Sequence, residues 1–246
     1  MPDVLVLCYH AVSSIWTAPL SVTPDSLERQ LGLLVRRGWR GTTFSEAVLA
    51  PPSRRTLAVT FDDAFASVAE LAQPILSGLG LPATVFAPTR FMSARQPLNW
   101  TGIDHWQDTL DAPELQSMTW NDLGELTELG WEIGSHTCTH PHLTRLAEDA
   151  LGDELHSSLE ACTHQLGQRC QSIAYPYGDV DERVAHRARA IGYRTGATLS
   201  SRLDRFGPHR WPRVGIYHYD VDVRFRLKVT PAMRCLRASR LWPGAA

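Results

Sequence analysis

Two adjacent carboxylates, Asp62 and Asp63, end a Thr-Phe-Asp-Asp stretch at residues 60–63. They directly follow the apolar residues 57–59, a short run that is typical of a buried strand. Neighbouring carboxylates raise each other's proton affinity unless a cation lies beside them. The pair therefore predicts a cation-dependent site, with capping of the next helix by one carboxylate as the structural alternative.

Two histidines, His136 and His140, can supply further ligands for the same cation. Gly134 precedes them and Pro141 follows, and the residue before a proline is biased away from helix, so the spacing of four favours a tight loop. Such a loop can still bring both rings together. Asp63 with two imidazoles would hold a metal through three protein ligands and leave a position open, as in hydrolytic zinc sites.

Other chemically capable residues also follow predicted strands. His10 comes after the apolar residues 4–8, and a Tyr-Pro-Tyr-Gly stretch at residues 175–178 comes after another apolar run. The second motif predicts a turn at the edge of a pocket, where the backbone N–H of Tyr177 could face a developing oxyanion. Trp100 and Trp106, in a long irregular region, could form sugar-stacking walls, with ordinary packing as the alternative.

The elements that must position these residues alternate between strand and helix along the whole chain. This alternation favours an α/β fold with a mostly parallel sheet, either a closed barrel or an open doubly wound sheet. In barrels, functional side chains lie at the carboxyl ends of the strands, where the candidate residues fall. Residues 42–49 suggest a short strand and turn, and residues 88–118 a long loop. The predicted strands cover residues 4–8, 57–61, 83–87, 131–133, 171–174, 193–199 and 214–217, and the helices residues 23–37, 65–79, 119–129, 147–166 and 181–191.

Composition sets broader limits on the class of protein. The chain has 246 residues, is 43% hydrophobic and carries a net charge of −2, so no overall field favours a nucleic-acid partner. The five scattered cysteines form neither a disulfide framework nor a zinc motif, which favours a reducing compartment. The N-terminal residues lack the basic and apolar regions of a signal peptide. We therefore expect a cytoplasmic protein.

Taken together, residues 60–63, residues 135–141 and residues 175–178 resemble, in order and spacing, the first three motifs of the polysaccharide deacetylases, the NodB-homology family or carbohydrate esterase family 4. The similarity covers residues 4–217. It implies a distorted, incomplete (β/α) barrel that forms a single domain, which we place at residues 1–219. It also implies metal-dependent removal of N-acetyl, or O-acetyl, groups from a polysaccharide or amino-sugar glycan.

The resemblance also implies a role for each motif residue. Asp63, His136 and His140 would bind a divalent metal, usually Zn²⁺, and Asp62 would act as general base on the metal-bound water. The metal and the backbone N–H of Tyr177 would hold the oxyanion. This division of labour is chemically reasonable, because an inert amide needs both a polarised carbonyl and an activated water.

The sequence departs from the family pattern at two places. The third motif of the family opens with an arginine that orients the base, whereas this chain has Ala174 there. Arg213 is our candidate replacement, because its guanidinium fork suits a carboxylate, although a purely structural salt bridge is an equal alternative. The late Leu-x-His motif that supplies the acid is degenerate at His218, and His10 is its rival. We favour His10 for proximity to the site and leave the acid open.

Residues 220–246 form a basic C-terminal stretch, which we expect to be a solvated tail. Alternatively, its amphipathic pattern could rest on an anionic membrane surface, which would suit a lipid-linked sugar substrate at the inner face of the membrane. Two alternative functions also remain: hydrolysis of a non-sugar amide, and a non-catalytic carbohydrate-binding domain on the same fold. The basic residues and the apolar residues between them are Arg224, Phe225, Arg226, Leu227, Lys228, Val229, Arg234, Leu236, Arg237, Arg240, Leu241 and Trp242.

Overall fold

Strands and helices alternate through the computed structural model, which describes residues 3–50, 55–203, 207–239 and 242. The strands within these ranges are β1 Val4–Tyr9, β2 Ala11–Val12, β3 Ser21–Val22, β4 Arg40–Thr42, β5 Thr56–Phe61, β6 Thr84–Ala87, β7 Glu132–Ser135, β8 Ser172–Ala174, β9 Thr195–Thr198, β10 Trp211–Pro212 and β11 Val214–Gly215. The α-helices are α1 Pro24–Arg36, α2 Phe44–Leu49, α3 Gln73–Gly78, α4 Trp120–Glu128, α5 Glu148–Leu166, α6 Glu182–Ile191, α7 Asp222–Lys228 and α8 Pro231–Arg237.

The main sheet is parallel and nearly closes into a barrel. Its strand order is β10-β9-β8-β7-β6-β5-β1-β11, and β4 pairs with the start of β5 on the side where β6 pairs with its end. The two edge strands, β10 and β11, are separated in the chain by Arg213 alone. One short segment therefore joins both edges. The predicted distorted (β/α) barrel is confirmed.

Apolar side chains fill the inside of the barrel below the candidate site. Successive strand residues face opposite sides of a sheet, and Val4 and Val6 belong to an interior cluster that is separate from the core between sheet and helices. Phe86 occupies the same interior cluster. A Cβ atom at Gly134 would lie 2.6 Å from the Phe86 ring, so glycine is required where β7 passes this ring.

Most predicted elements are observed within two residues of their expected ends, and two of the helices begin at capping residues. The Thr23 hydroxyl accepts a hydrogen bond from the Ser26 N–H at the start of α1, and Thr119 forms a capping box with Asp122 at the start of α4. In the helix expected at residues 65–79, a π-helical turn at Val68–Ala72 directly precedes α3, in whose first turn Pro74 lies.

The expected strand and turn at residues 42–49 is wrong in part. The strand ends at Thr42, and residues 44–49 form the helix α2. The helix begins at a capping box in which Glu46 accepts a hydrogen bond from the Thr43 N–H. This Thr-x-x-Glu signal is present in the sequence, but the helix is too short to show an apolar period.

The expectation of a solvated tail also fails, because residues 222–237 fold as α7 and α8 against the barrel. Phe225 and Val229 are buried in the main core. Lys228 donates to Asp220 at 2.6 Å, and Arg234 donates to Asp3 at 2.6 Å. Part of the basic charge therefore serves tertiary structure. The Arg240 and Leu241 positions of this stretch lie outside the described residues. Within the described ranges, no helix is long and apolar enough to span a bilayer.

Candidate active site

The loops that follow β1, β5, β7 and β8 converge on one cavity of about 470 Å³ at the carboxyl ends of the strands. The predicted site residues in its wall thus come from four separate segments of the sequence. Arg213 lies outside the cavity wall and is fully buried. The predicted site residues that line the cavity are His10, Asp62, Asp63, His136, His140 and Tyr177.

Asp63 lies between the two histidines. Its Oδ1 is 3.3 Å from Nε2 of His136 and 3.4 Å from Nε2 of His140, and all three side chains are buried. Asp63 has a φ of 71°, a left-handed conformation that turns its side chain out of the direction of β5. Such strain in a non-glycine residue is typical of functional sites.

Hydrogen bonding fixes the tautomer of His136. Its Nδ1 lies 2.8 Å from the Ala174 carbonyl oxygen, which can only accept. Nδ1 therefore carries the hydrogen, and the lone pair of Nε2 points towards Asp63. Burial opposes the charged form of His136, but Asp62 and Asp63 outweigh burial and raise the pKa of this ring. Burial lowers the pKa of His140 to about 3 against the opposing effect of Asp63, so the His140 ring is neutral near pH 7.

The loop between the histidines is held by Glu154 on α5. Its Oε2 accepts hydrogen bonds from the N–H groups of Cys138 at 2.8 Å and Thr139 at 3.0 Å, and its Oε1 accepts from the Thr139 hydroxyl at 2.6 Å. The loop needs this support because Thr137 and His140 have φ values of 65° and 61°. Cys138 itself points to Glu154 through its thiol and not to the histidines.

The donor set of Asp63, His136 and His140 fits a zinc-class divalent metal. Oδ1 of Asp63 is buried and has no hydrogen-bond donor among the described residues. Zinc bonds of about 2.0–2.2 Å to oxygen and nitrogen place the ligand atoms of a tetrahedron about 3.3–3.5 Å apart. The two measured O–N distances fall in that range. One carboxylate and two imidazole nitrogens beside an open cavity leave room for a further ligand.

Asp62 has different surroundings from Asp63. Arg213 donates to both its carboxylate oxygens, at 2.6 and 2.7 Å, and also to the Thr60 hydroxyl at 3.0 Å. Burial would raise the pKa of Asp62, but the Arg213 guanidinium outweighs it and holds this pKa well below its usual range. Asp62 is therefore an oriented, ionised carboxylate at the cavity wall.

The two histidine candidates for the acid lie in different places. His10 lines the cavity, and its ring is roughly parallel to that of Tyr217 at 6.4 Å. Burial lowers the pKa of His10, although Asp63 and Asp62 oppose the effect. His218 has Nδ1 3.3 Å from the Ser21 carbonyl oxygen, and it does not line the described cavity. Only His10 is next to the other site residues.

Tyr177 contributes its backbone to the cavity edge. Its φ of 60° is left-handed, and no described residue accepts a hydrogen bond from its N–H. Its hydroxyl donates to the Thr101 carbonyl at 3.0 Å, which ties the turn at residues 176–178 to the long loop. The N–H of a strained turn beside Asp63 is thus available to an incoming oxygen.

The long loop supplies the aromatic wall. Trp100 stacks on the His140 ring with centroids 4.2 Å apart and also meets the edge of Phe91, so it is largely covered. This contact assigns Trp100 to the support of His140 and leaves little of its surface for a sugar. Trp106 lines the cavity and packs at right angles to Trp16.

Sequence reasoning missed three neighbours of the site: Cys8, Glu154 and Tyr217. The Cys8 thiol is 3.4 Å from Oδ2 of Asp62, at a strand position whose inward direction follows from the alternation of β1. That alternation was a usable signal for Cys8. Nothing in the sequence links Glu154 to a loop 15 residues before it.

Comparison with known proteins now decides the family. The family model described as polysaccharide deacetylase matches residues 50–196, more than half of the chain. The chain belongs to the polysaccharide deacetylase family. YxkH of Bacillus subtilis (strain 168), a protein named for these deacetylases, is 26% identical over 198 residues, which cover 78% of this chain. The chain spans 63% of the length of that relative.

Solved structures show the same fold at low sequence identity. The deacetylase PplD of Streptococcus pyogenes, solved in complex with acetate, has a TM-score of 0.75 at 22% identity and covers 93% of this chain and 99% of its own. IcaB of Ammonifex degensii has a TM-score of 0.71 at 21% identity, with 97% and 98% covered. These two structures thus share the fold of this family member over nearly the whole length of its chain.

Proposed function

We propose that this family member is a metal-dependent hydrolase that removes N-acetyl, or O-acetyl, groups from an amino-sugar glycan. One observation carries the proposal: Asp63, His136 and His140 present three ligand atoms to an open cavity beside the Arg213-paired Asp62. Acetate, with which PplD was solved, is the product of this reaction. Zinc is the metal that this donor set suits best.

The residues around the metal ligands divide the chemistry between them. A bound divalent metal would supply a Lewis acid for the acetyl carbonyl and lower the pKa of a water molecule. Asp62 accepts the proton of the attacking water, and Arg213 keeps its carboxylate ionised and correctly turned. The backbone N–H of Tyr177 donates to the oxygen that becomes negative.

His10 is our candidate for donating a proton to the leaving amine. It lines the same cavity, and one of its ring nitrogens lies within 4.8 Å of an Asp62 oxygen. A proton taken up by Asp62 therefore has a short path to His10. Because burial lowers the pKa of His10, the ring is neutral at rest and would be charged only during turnover.

The cavity lining favours a neutral sugar. Neither lysine nor arginine is among its described residues, so an anionic group on the sugar would find no basic side chain to pair with in the wall, beside two carboxylates. Apolar and aromatic side chains such as Ile103, Trp106 and Tyr217 suit the faces of a sugar ring. An N-acetylated amino sugar fits these features better than an anionic one.

The experiment measures acetate release from N-acetylglucosamine oligomers, and metal content, in zinc-loaded protein. We expect Asp62→Asn to retain the zinc held by Asp63, His136 and His140 and to lose about 100-fold or more of the rate, the usual worth of a general base. Asp63→Ala should lose the zinc. Acetate release that survives Asp62→Asn would contradict the assignment of the base. Binding of the oligomers without acetate release would favour a non-catalytic carbohydrate-binding domain. Acetate release only from acetylated non-sugar amines would favour an amidohydrolase.

We also propose that α7 contacts an anionic membrane at the cytoplasmic face, which would give access to a lipid-linked sugar. The exposed Val223 and Leu227 lie four residues apart on one side of α7. Arg224 and Arg226 flank them, are exposed and make no ion pair with any described residue. Apolar side chains bordered by free arginines are typical of helices that bind anionic lipid surfaces.

Co-sedimentation with phosphatidylglycerol and phosphatidylcholine vesicles tests this contact. We expect wild type to bind vesicles that contain the anionic lipid, and Val223→Asp/Leu227→Asp to bind them weakly. Leu129→Asp, at another exposed leucine, is the matched control and should bind like wild type. Equal binding of all three proteins, or no binding by wild type, would refute the contact.

A further inference from the structure

A second cluster of metal-ligating side chains lies beside the first. Cys8, His10 and Asp62 each offer one ligand atom, and these atoms lie within 4.8 Å of one another. Cys8 is fully buried, and its Sγ is 3.4 Å from Oδ2 of Asp62. His10 is only 7% exposed, and its Nδ1 has no hydrogen-bond partner among the described residues.

The spacing of this cluster is close to that of a zinc site. Bonds of about 2.3 Å to sulfur and about 2.1 Å to oxygen place the two ligand atoms about 3.5 Å apart in a tetrahedron. The Cys8–Asp62 distance of 3.4 Å already matches this edge. The His10 nitrogen lies within 4.8 Å of the other two ligand atoms, so a shift of at most about 1.5 Å would complete three ligands at an edge of about 3.3–3.5 Å. Thiolate, imidazole and carboxylate together favour a soft, zinc-class cation.

We propose that Cys8, His10 and Asp62 form a second, inhibitory site for a zinc-class cation. Binding replaces the S–H bond of Cys8 by a sulfur–metal bond, and the proton leaves to solvent. The thiolate and the Asp62 carboxylate supply two negative charges beside the incoming cation. Occupation removes both Asp62 and His10 from the chemistry. The inhibition, though not the binding, rests on the function proposed above.

The second site is the weaker of the two. Its cation must lie near the guanidinium of Arg213 and near any metal held by Asp63, and like charges at such distances repel. It must also displace the proton of a buried thiol, whereas the first site binds through a carboxylate and two imidazoles and needs no thiol. The second ion therefore binds after the first and at higher metal concentration, so that activity first rises and then falls as zinc is added.

Metal titration of the chelator-treated full-length protein tests the site without relying on activity. Cobalt(II) is the probe, because a cysteine thiolate bound to it gives a charge-transfer absorption in the near ultraviolet that oxygen and nitrogen ligands do not give. Zinc stoichiometry is measured in parallel by equilibrium dialysis. The variants are Cys8→Ala, His10→Gln and Asp63→Asn. Cys138→Ala is the matched control because it removes the half-buried thiol that lies within the histidine loop.

We expect two zinc ions per chain and the thiolate band in wild type, and one ion without the band in Cys8→Ala. The band should persist in Cys138→Ala and in Asp63→Asn. A band that survives Cys8→Ala, or no band in wild type, overturns the second site. Should Cys8→Ala fail to fold, His10→Gln decides: at least about tenfold weaker binding of the second ion is expected, since even outer partners of metal ligands are worth 10–100-fold. Unchanged affinity overturns the site.

These readouts separate the two proposals. Loss of the first ion in Asp63→Asn with the band retained leaves the second site standing whatever the deacetylase assay shows. Loss of the band in Asp63→Asn means that Cys8 reports on the first site, and the second site is refuted. Zinc inhibition that is equal in wild type and Cys8→Ala refutes the inhibitory role while leaving the proposed deacetylation intact.

Discussion

The two ends of the barrel treat a carboxylate in opposite ways. At the amino ends of the strands, the half-buried Glu132 accepts hydrogen bonds from the Ser45 N–H and hydroxyl, from the Thr84 hydroxyl and from the Ser172 hydroxyl. At the carboxyl ends, Oδ1 of Asp63 has no donor among the described residues. The same chemical group is thus saturated at one end and left open at the other.

This difference distinguishes a carboxylate with a structural role, Glu132, from one with a proposed functional role, Asp63. Buried polar atoms are almost always hydrogen-bonded, so an unsatisfied one in a folded protein requires an explanation. The neutral donors around Glu132 satisfy its carboxylate, so Glu132 stabilises this end of the barrel and has no free oxygen for a ligand. Asp63 and the unpartnered Nδ1 atoms of His10 and His140 are arranged for something that the chain itself does not supply. Asp62 is intermediate between the two, because both its oxygens accept hydrogen bonds from a single charged partner, Arg213.

The largest effect should come from removing that partner. Arg213→Met leaves Asp62 buried and unpaired, and breaking a buried ion pair in this way costs about 3 to 5 kcal/mol. Urea unfolding of the metal-free protein near pH 7 measures the loss in free energy of unfolding. The double variant Asp62→Asn/Arg213→Met removes the stranded charge and should regain much of the loss. Equal instability of the single and double variants would contradict this account.

The loss in free energy of unfolding caused by Arg213→Met should become smaller as pH falls. Arg213 lowers the folded-state pKa of Asp62, so wild type gains stability above the unfolded pKa of about 3.9 and loses it as pH falls through the folded pKa. In Arg213→Met, burial raises that pKa without its main opponent, and only His136 and His10 still lower it. The penalty therefore exists near pH 7 and decreases as Asp62 is protonated. A deficit that stays constant down to pH 4 would assign the loss to packing around Arg213.

Glu132→Ala should have a smaller effect, confined to stability. The change removes a carboxylate that accepts four hydrogen bonds from neutral donors, and we expect about 2 kcal/mol less free energy of unfolding. Zinc affinity should be unchanged, because the other end of the barrel keeps its geometry. A tenfold loss of zinc affinity in Glu132→Ala would show that the two ends are coupled and would remove the contrast between them.

The sequence was informative where function is carried by local motifs. Asp62, Asp63, His136 and His140 stand in short segments after apolar runs, so the parallel barrel and its polar edge were predictable. Arg213 was inferred from the family resemblance together with chemistry: the family has an arginine where this chain has Ala174, and a guanidinium fork suits a carboxylate. The structure brings Arg213 to Asp62 because the segment between β10 and β11 joins the two edges of the sheet.

What could not be predicted depends on packing across distant segments. Whether residues 222–237 fold against the barrel depends on the burial of Phe225 and Val229, which a basic composition does not reveal. The cover of Trp100 by His140 joins residues 40 apart through two irregular loops. Glu154 shows the same limit, because a charged residue on an exposed-looking turn of α5 proves to hold the histidine loop.

Glu154→Gln should give the smallest of these effects, a loss of zinc affinity at the carboxyl ends of the strands. The glutamine amide keeps one oxygen acceptor but presents a donor where the Thr139 hydroxyl or the N–H groups now donate. The strained backbone of Thr137 and His140 then loses part of its support. Because supporting partners of metal ligands are worth about 10–100-fold, we expect zinc to bind about tenfold more weakly in competition with a chromophoric chelator.

Glu160→Gln is the matched control for this prediction. Glu160 lies on the same helix and is exposed, and among the described residues its carboxylate faces only His156, one turn away. The substitution removes the same charge from α5 without touching the histidine loop. Equal losses of zinc affinity in both variants would attribute the effect to helix charge. A loss in Glu154→Gln alone would show that the hydrogen-bonded Glu154 carboxylate, on a helix outside the barrel, holds the histidine loop in place for metal binding.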